Sequence, residues 1–230
     1  MDLQRSYIAI QERIKKACSD CGRSPDSLKL IVASKTQSVE RIAQLHHLGQ
    51  IFFGENYAQE LFAKAGALPP SIKWSFIGQL QSNKIKRIMT YAEEIQTLAS
   101  LKHLELIARY AEELGKIPYP VFIEVKIPGD QNKGGLPLQE LIVLANTIQE
   151  NFASSVQLKG IMAIPPQRFA ETWDEEAEEL YGELRRLANL VGEGKLSLGM
   201  SGDLEHAIRC GSDIVRIGSA VMGTRTTKRG

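Results

Sequence analysis

The feature that most constrains the fold is a regular alternation of two kinds of segment along the 230-residue chain. Short runs rich in Val, Ile and Phe predict buried parallel strands, because a strand covered on both faces is apolar along its whole length. Eight such runs occur in the sequence: LKLIVAS, QIFFGE, KWSFIG, EIQTLA, PVFIEVKI, QLKGIMAI, LSLGMS and DIVRIGS. Amphipathic stretches of helical period, such as VERIAQLHHLG and LKHLELIARYAEELG, lie between them.

Eight strand–helix units in one chain favour a closed parallel (β/α)₈ TIM barrel, of the α/β class, over an open doubly wound sheet. Residues 2–20 predict an extra N-terminal helix ahead of the first strand. Ser38 and Ser100 are predicted helix N-caps, and Gly49 and Gly115 predicted helix ends. Hydrophobic residues make up 43% of the chain, which is enough for one sizeable core, and no Gly/Ser-rich linker interrupts it. We therefore expect residues 1–230 to form a single domain.

Charge and composition exclude several classes of partner. The 28 basic and 27 acidic residues leave a net charge of +1, which does not indicate nucleic acid as a partner. The amphipathic N-terminus lacks the apolar core of a signal peptide, and no apolar run approaches the ~18 residues of a membrane span. We expect a soluble, cytoplasmic protein with no membrane partner, and a monomer rather than an obligate oligomer.

The cysteines and histidines do not indicate a metal site. Cys18 and Cys21 form a C-x-x-C near the end of the predicted first helix, and no further Cys or His follows at the spacing of a zinc site. The four histidines lack the H-x-x-x-H and H-E-x-x-H spacings. We interpret the cysteines as ordinary reduced thiols and expect no metal.

The end of the first predicted strand carries a candidate nucleophile. Functional groups of a TIM barrel lie at the carboxyl ends of its strands. Alternation along the strand places Ile31, Ala33 and Lys35 on one face. If that face points inward, Lys35 lies at the upper rim, where a partly desolvated amine is a competent Schiff-base nucleophile. The alternative is a lysine that extends from the strand end into solvent.

Two neighbouring turns predict a phosphate site. Ser201 and Gly202 follow the seventh predicted strand, which ends Leu198-Gly199-Met200, and Gly218 and Ser219 follow the eighth. Phosphates in TIM barrels favour the loops after strands seven and eight, where hydroxyls, glycine backbone and helix N-termini meet an anion. Each turn alone is also typical of a plain N-cap. Together with the rim lysine, they indicate a phosphorylated aldehyde.

Arg216 lies in the eighth predicted strand on the inward face that includes Ile214. A buried arginine needs a partner. Asp213 or Glu124 could supply a carboxylate, and the ring nitrogen of a pyridine cofactor is the other possibility. Arginine at that nitrogen would keep it unprotonated and weaken the ring as an electron sink.

Six segments, in chain order, resemble the pyridoxal phosphate homeostasis protein family over nearly the whole chain: VASKTQ, FGENYAQE, FIGQLQSNK, GIMAIPP, MSGDLEHAI and VRIGSAVMG. That family is similar to the barrel half of alanine racemase, the type III PLP fold. The resemblance implies pyridoxal 5′-phosphate (PLP) as cofactor, held by Lys35 as a Schiff base. It also implies a phosphate site at Ser201, Gly202, Gly218 and Ser219, with Arg216 at the ring nitrogen and Asn56 and Met200 lining the cofactor.

The chain departs from the family pattern at three positions. Ser75 stands where the family often has histidine, Lys126 where it commonly has asparagine on the fifth strand, and Asp130 where glutamate is usual. These departures change the expected polarity of the pocket. Lys126 is also a second amine that could compete for the aldehyde, which we rank below Lys35.

These features predict a PLP-binding carrier or regulator of vitamin B6 and amino-acid balance that supplies apo-enzymes with cofactor and has no catalytic residues. The alternative is a PLP-dependent amino-acid racemase, which needs acid/base groups on both faces of the reacting carbon. Lys35 could serve one face, and Tyr57, at a predicted helix start, is a conceivable second group. We expect no second domain to supply it, because the chain ends at Gly230. A sugar-phosphate isomerase would share the phosphate site but has no specific use for Lys35 and Arg216.

Overall fold

Eight parallel strands close into a barrel in the computed structural model, which describes residues 2–127 and 134–223. The strands are β1 (Lys29–Ala33), β2 (Phe52–Glu55), β3 (Lys73–Phe76), β4 (Ala92–Leu98), β5 (Tyr119–Lys126), β6 (Val156–Ala163), β7 (Lys195–Ser197) and β8 (Ile214–Ile217). They pair in chain order, and the β1–β8 pairing closes the ring. A two-residue strand, Leu136–Pro137, adds to the end of β5. The carboxyl ends of all eight strands therefore lie at one end of the barrel.

Helices pack around the barrel in the (β/α)₈ order that the sequence predicts. Their bounds are α1 (Leu3–Asp20), α2 (Val39–His47), α3 (Ala58–Ala67), α4 (Ile85–Tyr91), α5 (Leu101–Glu113), α6 (Leu141–Thr147), α7 (Arg168–Glu171), α8 (Glu175–Asn189), α9 (Leu204–Arg209) and α10 (Ser219–Met222). The predicted N-terminal helix is confirmed as α1. The hydroxyls of Ser38 and Ser100 accept hydrogen bonds from backbone N–H groups in the first turns of α2 and α5, which confirms both predicted caps.

Apolar side chains form two separate clusters. The larger one fills the layer between the helices and the outward faces of the strands. A smaller one, with Ile31, Phe122, Met162 and Ile214, occupies the barrel interior. The inward face of β1 is thus buried at Ile31, as the predicted alternation requires. Buried polar residues share the interior with this small cluster.

Two predicted strand boundaries are wrong. β4 begins at Ala92, earlier than the predicted run EIQTLA. β7 ends at Ser197 rather than at Met200. The chain turns there because Gly199 has a φ of 104°, in the left-handed region that favours glycine. The turn stays attached to β8, since the Arg216 N–H donates to the Gly199 oxygen at 2.9 Å.

None of the helices within the described ranges is both long enough and apolar enough to cross a membrane.

Candidate functional site

A cavity of about 400 Å³ lies at the carboxyl ends of the strands, lined mostly by residues at the ends of β1, β2, β7 and β8, with Ile77 after β3 and Ile164 after β6. Most of the predicted site residues line it together: Lys35, Asn56, Met200, Ser201, Arg216, Gly218 and Ser219. Gly202 lies beside Ser201 in the same turn, exposed, and does not line the cavity. Sequence reasoning missed other lining residues: Thr36, Gln37, Ile77, Ile164, Met222 and Gly223. Thr36 and Gln37 directly follow the predicted end of the first strand, and Met222 and Gly223 belong to the segment VRIGSAVMG, so the sequence could have indicated all four.

Lys35 lies in a tight turn immediately after β1. The turn is closed by the Gln37 N–H, which donates to the Ser34 oxygen at 3.0 Å. Thr36 in this turn has a φ of 63°, an unfavourable conformation for a β-branched residue. Within the described part of the chain, no hydrogen bond or ion pair involves the Lys35 Nζ. The amine is therefore available to a ligand in the cavity.

The turn after β7 is held by a buried carboxylate. Asp203 Oδ1 accepts a hydrogen bond from the Met200 N–H at 2.6 Å, and Asp203 Oδ2 accepts one from the Tyr181 hydroxyl. Burial, followed by the Asp203 charge, raises the pKa of Tyr181, so this hydroxyl stays protonated and donates. These bonds fix the backbone on both sides of Ser201. Asp203 was not predicted, although an aspartate two residues after Ser201 is a typical local acceptor.

Helix α1 supports the same turn from outside the barrel. Arg13 Nη2 donates to the Ser201 oxygen at 3.1 Å and to Glu205 Oε2 at 2.8 Å, and Arg13 Nε donates to Glu205 Oε1 at 2.7 Å. This forked pair joins α1 to α9. The extra N-terminal helix thus contributes directly to the site.

Arg216 is buried in the barrel interior beneath the cavity, with its residue 5% exposed. Its Nη1 donates to Ser197 Oγ at 2.5 Å and its Nη2 to the Ala163 oxygen at 2.8 Å. Burial lowers the pKa of Arg216 to about 10, which leaves the guanidinium charged at neutral pH. The arginine is therefore a fixed cation at the base of the site.

The pairing of Arg216 with Asp213, one of the alternatives that the sequence left open, does not form. Asp213 Oδ2 instead accepts a hydrogen bond from Arg185 Nη1 at 2.9 Å, because residues 213 and 216 lie on opposite faces of the chain at β8. Glu124 interacts with Arg216 through the electrostatic field alone. Burial raises the pKa of Glu124, and the positive charge of Arg216 lowers it. No hydrogen bond joins Glu124 to Arg216 among the described residues.

A chain of hydrogen bonds continues from this arginine through the barrel interior. Ser197 Oγ donates to Gln96 Oε1 at 2.7 Å, and Gln96 Nε2 donates to Glu94 Oε1 at 2.7 Å. Ser75 and Lys29 also donate to Glu94, at 2.7 and 2.9 Å. Ser75, the predicted departure in pocket polarity, is thus a donor inside the barrel rather than a residue of the cavity wall.

The remaining predicted residues take different positions. Asn56 Nδ2 donates to the Ile77 oxygen at 3.4 Å, while its buried Oδ1 accepts no hydrogen bond within the described ranges. Tyr57, the conceivable second acid/base, is the N-cap of α3, 51% exposed, and does not line the cavity. Lys126 ends β5 and does not line the cavity either. The structure does not bring either residue to Lys35.

Across residues 2–127 and 134–223, no group of three or more His, Cys, Asp or Glu side chains could hold a metal ion. Cys18 and Cys21 are free thiols, and the Cys21 thiol donates to the Ala17 oxygen at 3.2 Å.

The parallel barrel and its strand-end site define the class of the protein as an alanine-racemase-like barrel. Residues 8–226 match the family described as alanine racemase, N-terminal domain. The alanine racemase of Clostridium difficile superposes with a TM-score of 0.71 at 14% identity, covering 98% of this chain and 57% of the racemase. At that identity the likeness shows the fold alone.

Closer relatives narrow the class. The pyridoxal phosphate homeostasis protein of Haemophilus influenzae is 33% identical over 98% of this chain and 97% of its own length. The protein of the same name from Schizosaccharomyces pombe is 35% identical over 87% of this chain and 85% of its own length. The chain belongs to the pyridoxal phosphate homeostasis protein family, as its sequence motifs predict.

Solved structures agree with this assignment. A structure of PipY from Synechococcus elongatus with PLP bound has a TM-score of 0.76 and 29% identity, covering 93% of this chain and 100% of PipY. An unknown protein from Bifidobacterium adolescentis has a TM-score of 0.85 and 30% identity, covering 96% of this chain and 94% of its own.

Proposed function

We propose that this protein holds PLP on Lys35 and serves PLP homeostasis and amino-acid balance as a reversible carrier rather than as a catalyst. One observation carries the proposal: a lysine amine with no partner among the described residues, two serine-bearing turns and a buried arginine line a single cavity of about 400 Å³. Relatives named for PLP homeostasis and the PLP-bound PipY structure support the same ligand.

The residues present fit this cofactor. PLP has three recognisable groups, an aldehyde, a phosphate and a pyridine nitrogen, and the cavity wall contains an amine, paired hydroxyls and a guanidinium. The buried Asn56 Oδ1, which lacks a donor within the described residues, is a further acceptor for a bound ligand. An orphaned buried acceptor is costly unless a ligand or water satisfies it.

Each residue has a distinct proposed role. Lys35 would hold the cofactor covalently, and the hydroxyls of Ser201 and Ser219 would donate to its phosphate. Gly202 and Gly218 would let the backbone approach the same group. Arg216 would face the ring nitrogen, with Asn56 and Met200 beside the ring. When bound, the cofactor supplies an aldehyde carbon that amines attack.

The same geometry supports holding over racemisation. Removing and returning a proton on opposite faces of a carbon needs two opposed acid/base groups. Among the described residues that line the cavity, the only ionisable side chains are those of Lys35 and Arg216. Arg216 keeps its charge, and a cation at the ring nitrogen disfavours protonation there and weakens the ring as an electron sink.

The direct test is to incubate the purified protein with PLP, record the visible spectrum, reduce with borohydride and locate the modified peptide by mass spectrometry. We expect a visible absorption band and modification at Lys35. Lys35→Ala should lose both, while the matched control Lys126→Ala should keep them. An unchanged band in Lys35→Ala would show that another lysine holds the cofactor.

Catalysis is tested separately by incubating the PLP-loaded protein with L-alanine in D₂O and following the Cα proton by NMR. We expect free amines to release PLP without exchange of this proton at useful rates. Exchange at about 1 s⁻¹ or faster, as in ordinary enzymes, would restore the racemase alternative.

We also propose that the protein acts in the cytoplasm as a monomer and passes PLP to apo-enzymes. Recovery of activity by a PLP-dependent apo-enzyme mixed with loaded protein tests the transfer. Light scattering tests the oligomeric state, and cell fractionation tests the location.

A further inference from the structure

The direction of the Lys35 side chain depends on its backbone, because no described residue binds its Nζ. The two backbone groups that flank Lys35 are each held by a charged side chain of α3. Lys64 Nζ donates to the Ser34 oxygen at 2.8 Å, and the Thr36 N–H donates to Glu60 Oε2 at 2.7 Å. Hydrogen bonds from α3 thus hold the turn in place both before and after Lys35.

These charged side chains belong to one buried cluster. Lys64 Nζ lies 2.6 Å from Glu55 Oε1 and 2.6 Å from Glu60 Oε2, and the Ser34 hydroxyl donates to Glu55 Oε1 at 2.7 Å. The side chains of Glu55, Lys64 and Glu60 are 0%, 7% and 29% exposed. A buried ion cluster of this kind contributes little net stability, because desolvation offsets the attraction. What it does supply is fixed geometry at the end of β1.

The cluster also explains the backbone of Thr36. A β-branched residue at a φ of 63° persists only where its surroundings hold it there. The bond from the Thr36 N–H to a carboxylate is charge-assisted and therefore among the stronger hydrogen bonds. Glu60 is the group that makes this bond.

We propose that Glu60 and Lys64, anchored by Glu55, are positioning residues that aim Lys35 into the cavity. This inference rests on the proposed function, in which Lys35 holds PLP. Lys64 holds the backbone before Lys35, and Glu60 holds the backbone after it. Loss of either hydrogen bond lets the turn adopt other conformations, so the Lys35 amine points at the aldehyde in a smaller fraction of molecules.

Glu60 offers the cleanest test, because its side chain is partly exposed and its removal leaves the Glu55–Lys64 pair in place. In Glu60→Ala we expect the equilibrium constant for PLP bound to Lys35 to fall about tenfold, the scale of one lost charge-assisted hydrogen bond. Glu60→Gln, which keeps an acceptor oxygen but not the charge, should recover part of that loss. Glu40→Ala, the same substitution in the first turn of α2, should bind PLP as the wild type does.

A second variant of Glu60 distinguishes loss of the hydrogen bond to Thr36 from a folding defect. Glu60→Asp keeps the charge but withdraws the oxygen from the Thr36 N–H, so it should fold and still bind PLP more weakly than Glu60→Gln does. Circular dichroism melting checks that each variant is folded.

Hydrogen exchange at the Thr36 amide gives a readout that does not depend on PLP. We expect this amide to exchange at least about tenfold faster in Glu60→Ala than in the wild type, and to be unchanged in Glu40→Ala. Faster exchange with unaltered PLP affinity would overturn the positioning role while leaving PLP binding intact. Unaltered exchange would overturn the inference directly. Failure of the wild type to bind PLP on Lys35 would overturn the proposed function and, with it, this role.

Discussion

Replacing Lys64 by methionine removes the cation from the cluster that it forms with Glu55 and Glu60 next to the Lys35 turn, and it roughly keeps the length of the side chain. The ammonium lies 2.6 Å from Glu55 Oε1, and the Glu55 side chain is fully buried. Removing one partner of a buried pair costs about 3–5 kcal/mol, because the remaining charge has no counterion. We therefore expect Lys64→Met to lower the free energy of unfolding by about 3–5 kcal/mol near neutral pH.

The size of this loss should depend on pH. Burial raises the pKa of Glu55, and the neighbouring Lys64 and Ser34 are the groups that lower it. Without Lys64 the pKa of Glu55 rises further. Between its unfolded and folded pKa values, such a carboxyl binds more protons in the folded state, so stability falls as the pH rises through that interval, by up to about 1.4 kcal/mol per unit. The deficit of Lys64→Met should thus be smallest near pH 5 and largest near pH 8.

Urea denaturation of the wild type, Lys64→Met and the double variant Lys64→Met/Glu55→Gln across about pH 5–8 measures this dependence. The glutamine carries no charge, so the double variant should recover part of the stability and lose the additional pH dependence. A deficit of the same size at both ends of the range would refute the reasoning. So would a double variant as unstable as the single one at the upper end.

Three further outcomes follow from the site. Ser201→Ala and Ser219→Ala should each weaken PLP retention by ~1.5–3 kcal/mol in equilibrium dialysis, and equal affinity in the doubly substituted protein would contradict the phosphate assignment. Thr36→Gly should cost no unfolding free energy by calorimetry, because glycine relieves the strain of a φ of 63°; a clear loss would contradict that strain. Gly78→Ala places a Cβ 1.8 Å from the backbone oxygen of Asn56, so both the free energy of unfolding and the PLP affinity should fall. The control Gly66→Ala, whose Cβ would have nothing within 4 Å, should not be destabilising.

The barrel could be predicted from the sequence because its signals are local. Each apolar run and each helical period lies within a few consecutive residues, and the fixed hand of parallel connections then brings all strand ends to one side. That topology placed Lys35 and Ser219 in one cavity, although they lie far apart in the chain. The exact end of β7 could not be predicted in this way, because it depends on the φ that Gly199 adopts.

The supports of the site depend on pairings that local patterns do not encode. Ser197 and Gln96 are 101 residues apart and meet only because the closed barrel brings β7 and β4 across its interior. Part of the cluster behind Lys35 did leave a signal, since Glu60 and Lys64 have the i,i+4 spacing of a helical ion pair. Glu55, an ionisable residue at the end of an apolar strand, was a second signal. Neither signal showed that Glu60 and Lys64 form hydrogen bonds to the backbone of the turn that contains Lys35.

The hydrogen bonds of the arginine beneath the cavity bear on the proposed role of holding the cofactor. Both of its described hydrogen bonds, to Ser197 and to the Ala163 oxygen, are donated, and the donors continue in one direction through Gln96 to the Glu94 carboxylate. Reversing any link would place two donors or two acceptors face to face, so this series of hydrogen bonds holds the Arg216 side chain in position. Because its pKa stays at about 10 despite burial, Arg216 remains a cation at the base of the site at neutral pH. Lys35 differs, because only its backbone is fixed and its amine has no described partner. A fixed backbone around a lysine amine that has no partner among the described residues is what the proposed carrier requires, since it would take up an aldehyde and release it to competing amines.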